Sequence, residues 1–372
     1  MAPHSLYLPR HRFQDLIDTL IDAGYRCIGP QLRDATIVFD DLDSVALLPQ
    51  GYIDKQGPGY YRLEQQSHQR YFAWANGPQG IKPYLFRAQE TLWSVQRNAD
   101  GHLHFHPQQP EPEHIAVIGL RGCDVAALSL QDAHFLSGDY ADSCYAARRE
   151  GLFVVAVNCS FSAATCFCNS TGDGPGVADN FDLLLSELDH GFVLEYGSES
   201  GRIIVERLNL ELADDAMHAQ AIEQIEHAAQ QQRQLPAIDI KSSLFANLDH
   251  PRWQEVAERC LACGNCTSVC PSCFCHSEQD VPDLDASSSQ HVRQWDSCFS
   301  QGHSYIHGTT VRADSKLRYR QWLTHKFSSW YEQYGRSGCT GCGRCISWCP
   351  VGIDVTEELA IICSDTGADD DA

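Results

Sequence analysis

Apolar residues first recur at helical spacing between residues 11 and 24, where Phe13, Leu16, Ile17, Leu20 and Ile21 share one face and Gly24 ends the segment. Two short apolar runs, EHIAVIGL (113–120) and GLFVVAVN (151–158), suit buried strands, and VAALSLQDAHFL (125–136) between them has helical spacing. Together they predict a βαβ unit. GFVLEYGSESGRIIVER (191–207) reads as a hairpin turning at its Gly and Ser residues. A polar helical segment over 214–234 then leads to Pro236 and places a boundary between 236 and 248.

Beyond that boundary the pattern is helical. DHPRWQEVAERC (249–260) puts Pro251 in a first turn and Trp253, Val256, Ala257 and Cys260 on one face. SKLRYRQWLTHKFSSWYEQYG (315–335) carries an aromatic stripe of Tyr319, Trp322, Leu323, Phe327, Trp330, Tyr331 and Tyr334, with Gly335 as its cap. The expected architecture is an α/β domain over residues 1–240 followed by a mainly α-helical domain over 241–372. The final TGADDDA (366–372) reads as a disordered tail.

Composition narrows the chemistry. The 372 residues hold 49 acids and 27 bases, a net charge of -22 that argues against a general nucleic-acid or anionic-membrane surface. The first thirty residues lack the apolar core of a signal peptide, and the longest apolar runs are too short to cross a bilayer. A cytoplasmic location is expected. Thiols stay reduced there, so the 18 cysteines read as metal ligands or buried apolar groups rather than disulfides.

Two of the cysteine runs share one design. CLACGNCTSVCP (260–271) and CTGCGRCISWCP (339–350) both follow C-x2-C-x2-C-x3-C-P. Three thiolates on one loop wrap three corners of a cubane, and in two-cluster ferredoxins the fourth cysteine ligates the other cluster. Applied here, Cys260, Cys263, Cys266 and Cys349 hold one [4Fe-4S] cluster, while Cys339, Cys342, Cys345 and Cys270 hold the second. Structural zinc also takes four cysteines, but typically as two separated C-x2-C pairs. The 68 residues between Cys270 and Cys339 make this an expanded ferredoxin-like module.

Before residue 240, Cys123 follows the first βαβ strand, Cys159 ends the second, and Cys166 and Cys168 come at once in TCFC. Parallel neighbouring strands would gather these four at one carboxyl edge, where α/β proteins bind ligands, and a third [4Fe-4S] cluster is expected on them. Cys27 and Cys144 read as core. Cys273, Cys275 and Cys298 form a leftover trio, open to a metal shared with His276 or His303 but read here as packing beside the first cluster. His102, His104 and His106 in HLHFH alternate like an exposed strand, and STGDGPG (170–176) lacks the G-K-[ST] of a phosphate loop. No dinucleotide fingerprint or catalytic constellation stands out. Arg312, Lys316, Arg318, Arg320 and Lys326 concentrate positive charge between the runs, and Arg318 and Arg320 are expected to face the anionic clusters and favour their reduction.

The strings CxxCGxCTxVCPxCFC, WDSC, LRYRQWLTHKF and CxGCGRCxxxCPVxID, with RGCD, YAARREGLFVVAVNC and TCFCNSTGDGP upstream, resemble a dicluster iron-sulfur subunit family. It comprises the beta subunit of cytoplasmic NAD(P)-linked nickel-iron hydrogenases (sulfhydrogenases) and the iron-sulfur subunit of anaerobic sulfite reductase. The likeness covers most of residues 113–363; RGCD departs from the proline-containing form common in the family, and the first hundred residues match loosely. The resemblance implies a non-catalytic electron-transfer subunit. Its partners would be the small and large subunits of a nickel-iron hydrogenase, or alternatively a sulfite reductase catalytic subunit, together with a flavin/NAD(P)-binding diaphorase-type subunit. CPSCFC and WDSCF favour the hydrogenase branch.

Overall fold

The apolar runs at 115–120 and 152–157 become β4 and β5, neighbouring parallel strands in which every residue is buried. They sit inside an eight-stranded sheet with β1 (Leu6–Pro9), β2 (Arg26–Arg33), β3 (Thr36–Asp41), β6 (Leu183–Glu187), β7 (Gly191–Tyr196) and β8 (Glu211–Leu212). The computed structural model describes residues 5–364 except 109 and 111, so the expected tail at 366–372 lies outside the described residues. The strand order is β8-β1-β7-β6-β5-β4-β2-β3. The run β6-β5-β4-β2 is parallel, and antiparallel pairs close both edges.

Helices cover both faces, as a sheet buried on two sides requires. On one face Phe13, Leu16, Ile17 and Leu20 of the helix Phe13–Asp22 pack with Ile204, Val205 and Leu208. On the other, Val125 and Leu128 of the helix Gly122–Phe135 pack with Tyr145 and Leu85. Because β4 and β5 run the same way, Cys123 and Cys159 leave the sheet at one edge, as the βαβ pattern implied.

The hairpin expected at 191–207 is half right. β7 does turn back antiparallel, but onto β6, and the segment after it is the helix Glu199–Leu208. Ser198 caps that helix by accepting from Gly201 N at 3.0 Å, so the Gly-Ser cluster read as a hairpin turn is a helix start.

Past residue 240 the structure combines helices with a sheet that the sequence pattern did not predict. The helices Ile240–Ala246, Arg252–Arg259, Ser315–Thr324 and Val355–Ser364 are joined by a long hairpin, His276–Pro282 with Ser288–Trp295. Its second arm pairs with Gln89–Arg97, which pairs with Leu103–Pro107. This four-stranded sheet therefore draws on residues from both sides of the expected boundary. The aromatic stripe is present but interrupted: a π-helical turn at His325–Ser329 shifts its phase, so Trp330 is buried while Tyr331 is exposed.

Candidate metal centre

The two cysteine runs fold alike. In the first, Gly264 adopts φ +75° and starts the short helix Asn265–Ser268; in the second, Gly343 adopts φ +74° and starts Arg344–Ser347. Two residues before these glycines the backbone is again left-handed, at Ala262 (φ +51°) and Gly341 (φ +65°). A side chain at 341 would collide with the Cys168 backbone, which is why glycine stands there and alanine is tolerated at 262. In each run the residue two after the first cysteine donates its N–H to that thiol, Ala262 to Cys260 and Gly341 to Cys339, both at 3.4 Å.

The runs also exchange their last cysteines. Cys260, Cys263, Cys266 and Cys349 line one apolar cavity, which Cys345 of the second run also borders, walled by Phe299, Tyr319 and Trp322. Cys339, Cys342, Cys345 and Cys270 line a second, walled by Phe167, Trp322 and Phe327. Among the described residues no three His, Cys, Asp or Glu side chains are gathered to hold a single metal ion. The thiols surround cavities instead, an arrangement that suits a cluster with four corners better than one tetrahedral zinc.

Two further features suit an anionic group. Lys326 is buried, and its Nζ lies 3.4 Å from Cys270 Sγ, 3.0 Å from Ser272 Oγ and 3.1 Å from Gly338 O. Burial works against its charge, yet the neighbouring Cys270 thiolate holds it protonated above the ordinary lysine range. Tyr319 OH and Trp322 Nε1, from the cavity walls, are buried donors without a hydrogen-bond partner among the described residues. Burial raises most of the thiols, Cys339 up to about 12 and Cys266 and Cys345 well above the ordinary value. Coordination by iron would displace those protons. Cys270 moves the other way: a hydrogen bond from Cys273 and the nearby Lys326 hold it well below the thiol range.

The N-terminal cysteines come together around the loop that Gly341 and Gly343 pack against. Phe167 N donates to Gly341 O at 2.8 Å. Cys168 lies close enough to Cys159 and Cys166 for their charges to interact, and it packs with Cys123 and Cys342 in one buried cluster. Burial raises all four, Cys168 up to about 12. Arg121 is fully buried here. It donates to Phe72 O at 2.9 Å and Trp74 O at 2.5 Å and lies near Cys159, but its Nε and Nη1 have no partner among the described residues. A buried guanidinium with two idle donors fits a negatively charged group beside the four thiols. Cys342 touching Cys123 and Cys168 makes the N-terminal set and the second run contiguous.

Arg318 and Arg320 do not face the cavities. Arg318 donates to the carbonyls of Arg312, Phe299 and Ala313, and Arg320 to that of Leu248. Both tie backbone segments together, and of the five expected cations it is Lys326 that meets the thiols. Sequence reasoning missed Arg121, Lys82 and the buried pair Arg344–Asp124, because a charged residue in a sequence ordinarily means surface. Cys27 and Cys144 are buried as expected, and the strand Leu103–Pro107 bearing His104 and His106 is exposed, as is His102 just before it.

A family model described as a 4Fe-4S dicluster domain matches residues 259–353. The chain is 26% identical over 367 residues to sulfhydrogenase 2 subunit beta from Pyrococcus furiosus, an alignment covering 96% of each protein. No solved structure matches.

Proposed function

We propose that the chain is an iron-sulfur electron-transfer subunit that relays electrons between the small and large subunits of a nickel-iron hydrogenase and a flavin/NAD(P)-binding diaphorase-type subunit. The observation that carries this reading is the continuity of three thiol sets. The first-run cavity includes Cys345 of the second run, and Cys342 of the second run packs on Cys123 and Cys168.

In this reading Cys260, Cys263, Cys266 and Cys349 hold the first [4Fe-4S] cluster, Cys339, Cys342, Cys345 and Cys270 the second, and Cys123, Cys159, Cys166 and Cys168 a third. Each cluster, when bound, accepts and returns single electrons at thiolate-ligated iron. Lys326 places a cation at Cys270 and Arg121 one near Cys159, so the protein stabilises added negative charge at both sites. Aromatic side chains wall both cavities of the C-terminal pair. Among the described residues no helix is long and apolar enough to cross a membrane.

The test is Cys166→Ser in the assembled complex. It is expected to remove about four irons of the roughly twelve that three cubanes supply. It should also abolish NAD(P)H-coupled hydrogen turnover while sparing both dye-linked half-reactions. Full coupled activity after loss of that iron would overturn a relay through the N-terminal set.

A further inference from the structure

Cys273, Cys275 and Cys298 are not used by the three sites above, and two of them meet. The hairpin His276–Pro282/Ser288–Trp295 pairs His276 with Trp295, and Asp296 N donates to Cys275 O at 3.0 Å, carrying the ladder one step past the strands. The segments that leave its open end therefore stay together, CFC (273–275) on one side and DSC (296–298) on the other. Across that end the Cys275 and Cys298 side chains are in direct hydrogen-bonding contact. Cys273 is engaged elsewhere: it is buried, and its thiol hydrogen-bonds to Cys270.

The two thiols of the pair are not equivalent. A hydrogen bond from the Cys298 thiol, aided by the nearby His303 and Lys326, holds Cys275 below the ordinary thiol range against the cost of burial. The same bond pushes Cys298 far above it. One sulfur thus carries the charge and the other keeps the proton, and the thiolate is the form that attacks an oxidant. Both residues are part-exposed, and Cys275 borders a small cavity with Asp296 and Trp295, so a small oxidant can reach it. A thiolate in contact with a second thiol is the arrangement in which oxidation of the first is resolved by the second.

We propose that Cys275 and Cys298 are a peroxide-reactive pair, in which Cys275 attacks the oxidant and Cys298 closes a disulfide onto it. In the first step the Cys275 thiolate takes a hydroxyl group from hydrogen peroxide: an S–O bond forms, the O–O bond breaks, and hydroxide leaves. In the second the Cys298 sulfur attacks Cys275 Sγ; the S–S bond forms, the S–O bond breaks, and the Cys298 proton departs with the oxygen as water. Two electrons pass from the two sulfurs to one peroxide. The hairpin ladder already holds the two segments side by side, so the second step is local and intramolecular.

The test uses the full chain, purified anaerobically and loaded with iron and sulfide. It is treated with one equivalent of hydrogen peroxide, its remaining thiols are blocked, and an unreduced peptide map is taken beside an iron count. The expected result is a peptide cross-linked between Cys275 and Cys298 with the iron retained. Iron lost while the pair stays as free thiols would overturn the proposal, as would a disulfide from either residue to another cysteine. In Cys298→Ser the reaction should stop at a sulfenic acid, which dimedone labels at Cys275; in Cys275→Ser dimedone should leave Cys298 unlabelled. Label on Cys298, or none on Cys275, contradicts the assigned order of attack. Should either variant fold poorly, the map of the unsubstituted chain decides. No readout involves a partner subunit, so failure here is separable from failure of the relay.

Discussion

Alanine at Cys349 is expected to remove iron from the site built on the first run and to leave the site of its own run loaded. Cys349 lies in the cavity with Cys260, Cys263 and Cys266, where its thiol accepts Ile353 N–H at 3.3 Å. Cys270, at the matching place in the first run, lies with Cys339, Cys342 and Cys345. Losing one thiolate of four exposes an iron to oxidation and dissociation, so the variant should lose about four irons and one of the C-terminal paramagnetic signals after dithionite reduction. Cys270→Ala should lose the complementary signal. If Cys349→Ala and Cys339→Ala eliminated the same signal, the ligands would be grouped by run and the crossed arrangement would be wrong.

The second large effect concerns Arg344. Its side chain, 1% exposed, forms a bidentate pair with Asp124 at 2.7 and 3.1 Å and donates Nε to Gly77 O at 2.8 Å. Asp124 follows Cys123, and Arg344 lies between Cys342 and Cys345, so one ion pair fixes the second run against the N-terminal thiols. Arg344→Met leaves a carboxylate buried without its partner, which costs about 3–5 kcal/mol. The urea midpoint of the anaerobic protein should fall accordingly. Adding Asp124→Asn should recover most of the loss, because both buried charges are then gone. A shift of less than about 1 kcal/mol in the single variant would mean that the pair behaves like an exposed salt bridge.

The parts of this molecule that were legible in its sequence share a physical reason. Cluster ligation demands fixed short spacings, so both runs stood out, and buried parallel strands need continuous apolar runs, so β4 and β5 did too. The hairpin after Cys275 was not legible. HSEQDVP and SSQHVRQW form a sheet with largely solvent-facing residues, and without an apolar face there is no alternation to read. Its consequence, the approach of CFC to DSC, was hidden with it. Arg318 and Arg320 were misdirected by proximity in sequence: on the helix Ser315–Thr324 they turn toward backbone carbonyls, and the π-helical turn that follows carries Lys326 to Cys270. Long-range pairs such as Arg344 with Asp124 leave no local pattern at all.

The central claim is that electrons pass through this chain from one partner to the other, and assembling the complex with and without it tests that most directly. Hydrogen turnover with an artificial dye reports the hydrogenase half, NAD(P)H oxidation by a dye reports the flavin half, and NAD(P)H-dependent hydrogen turnover reports their connection. The expected result is that both dye-linked activities persist without the chain while the coupled reaction is lost and returns when the loaded chain is added back. A coupled reaction running at full rate in its absence would contradict the relay.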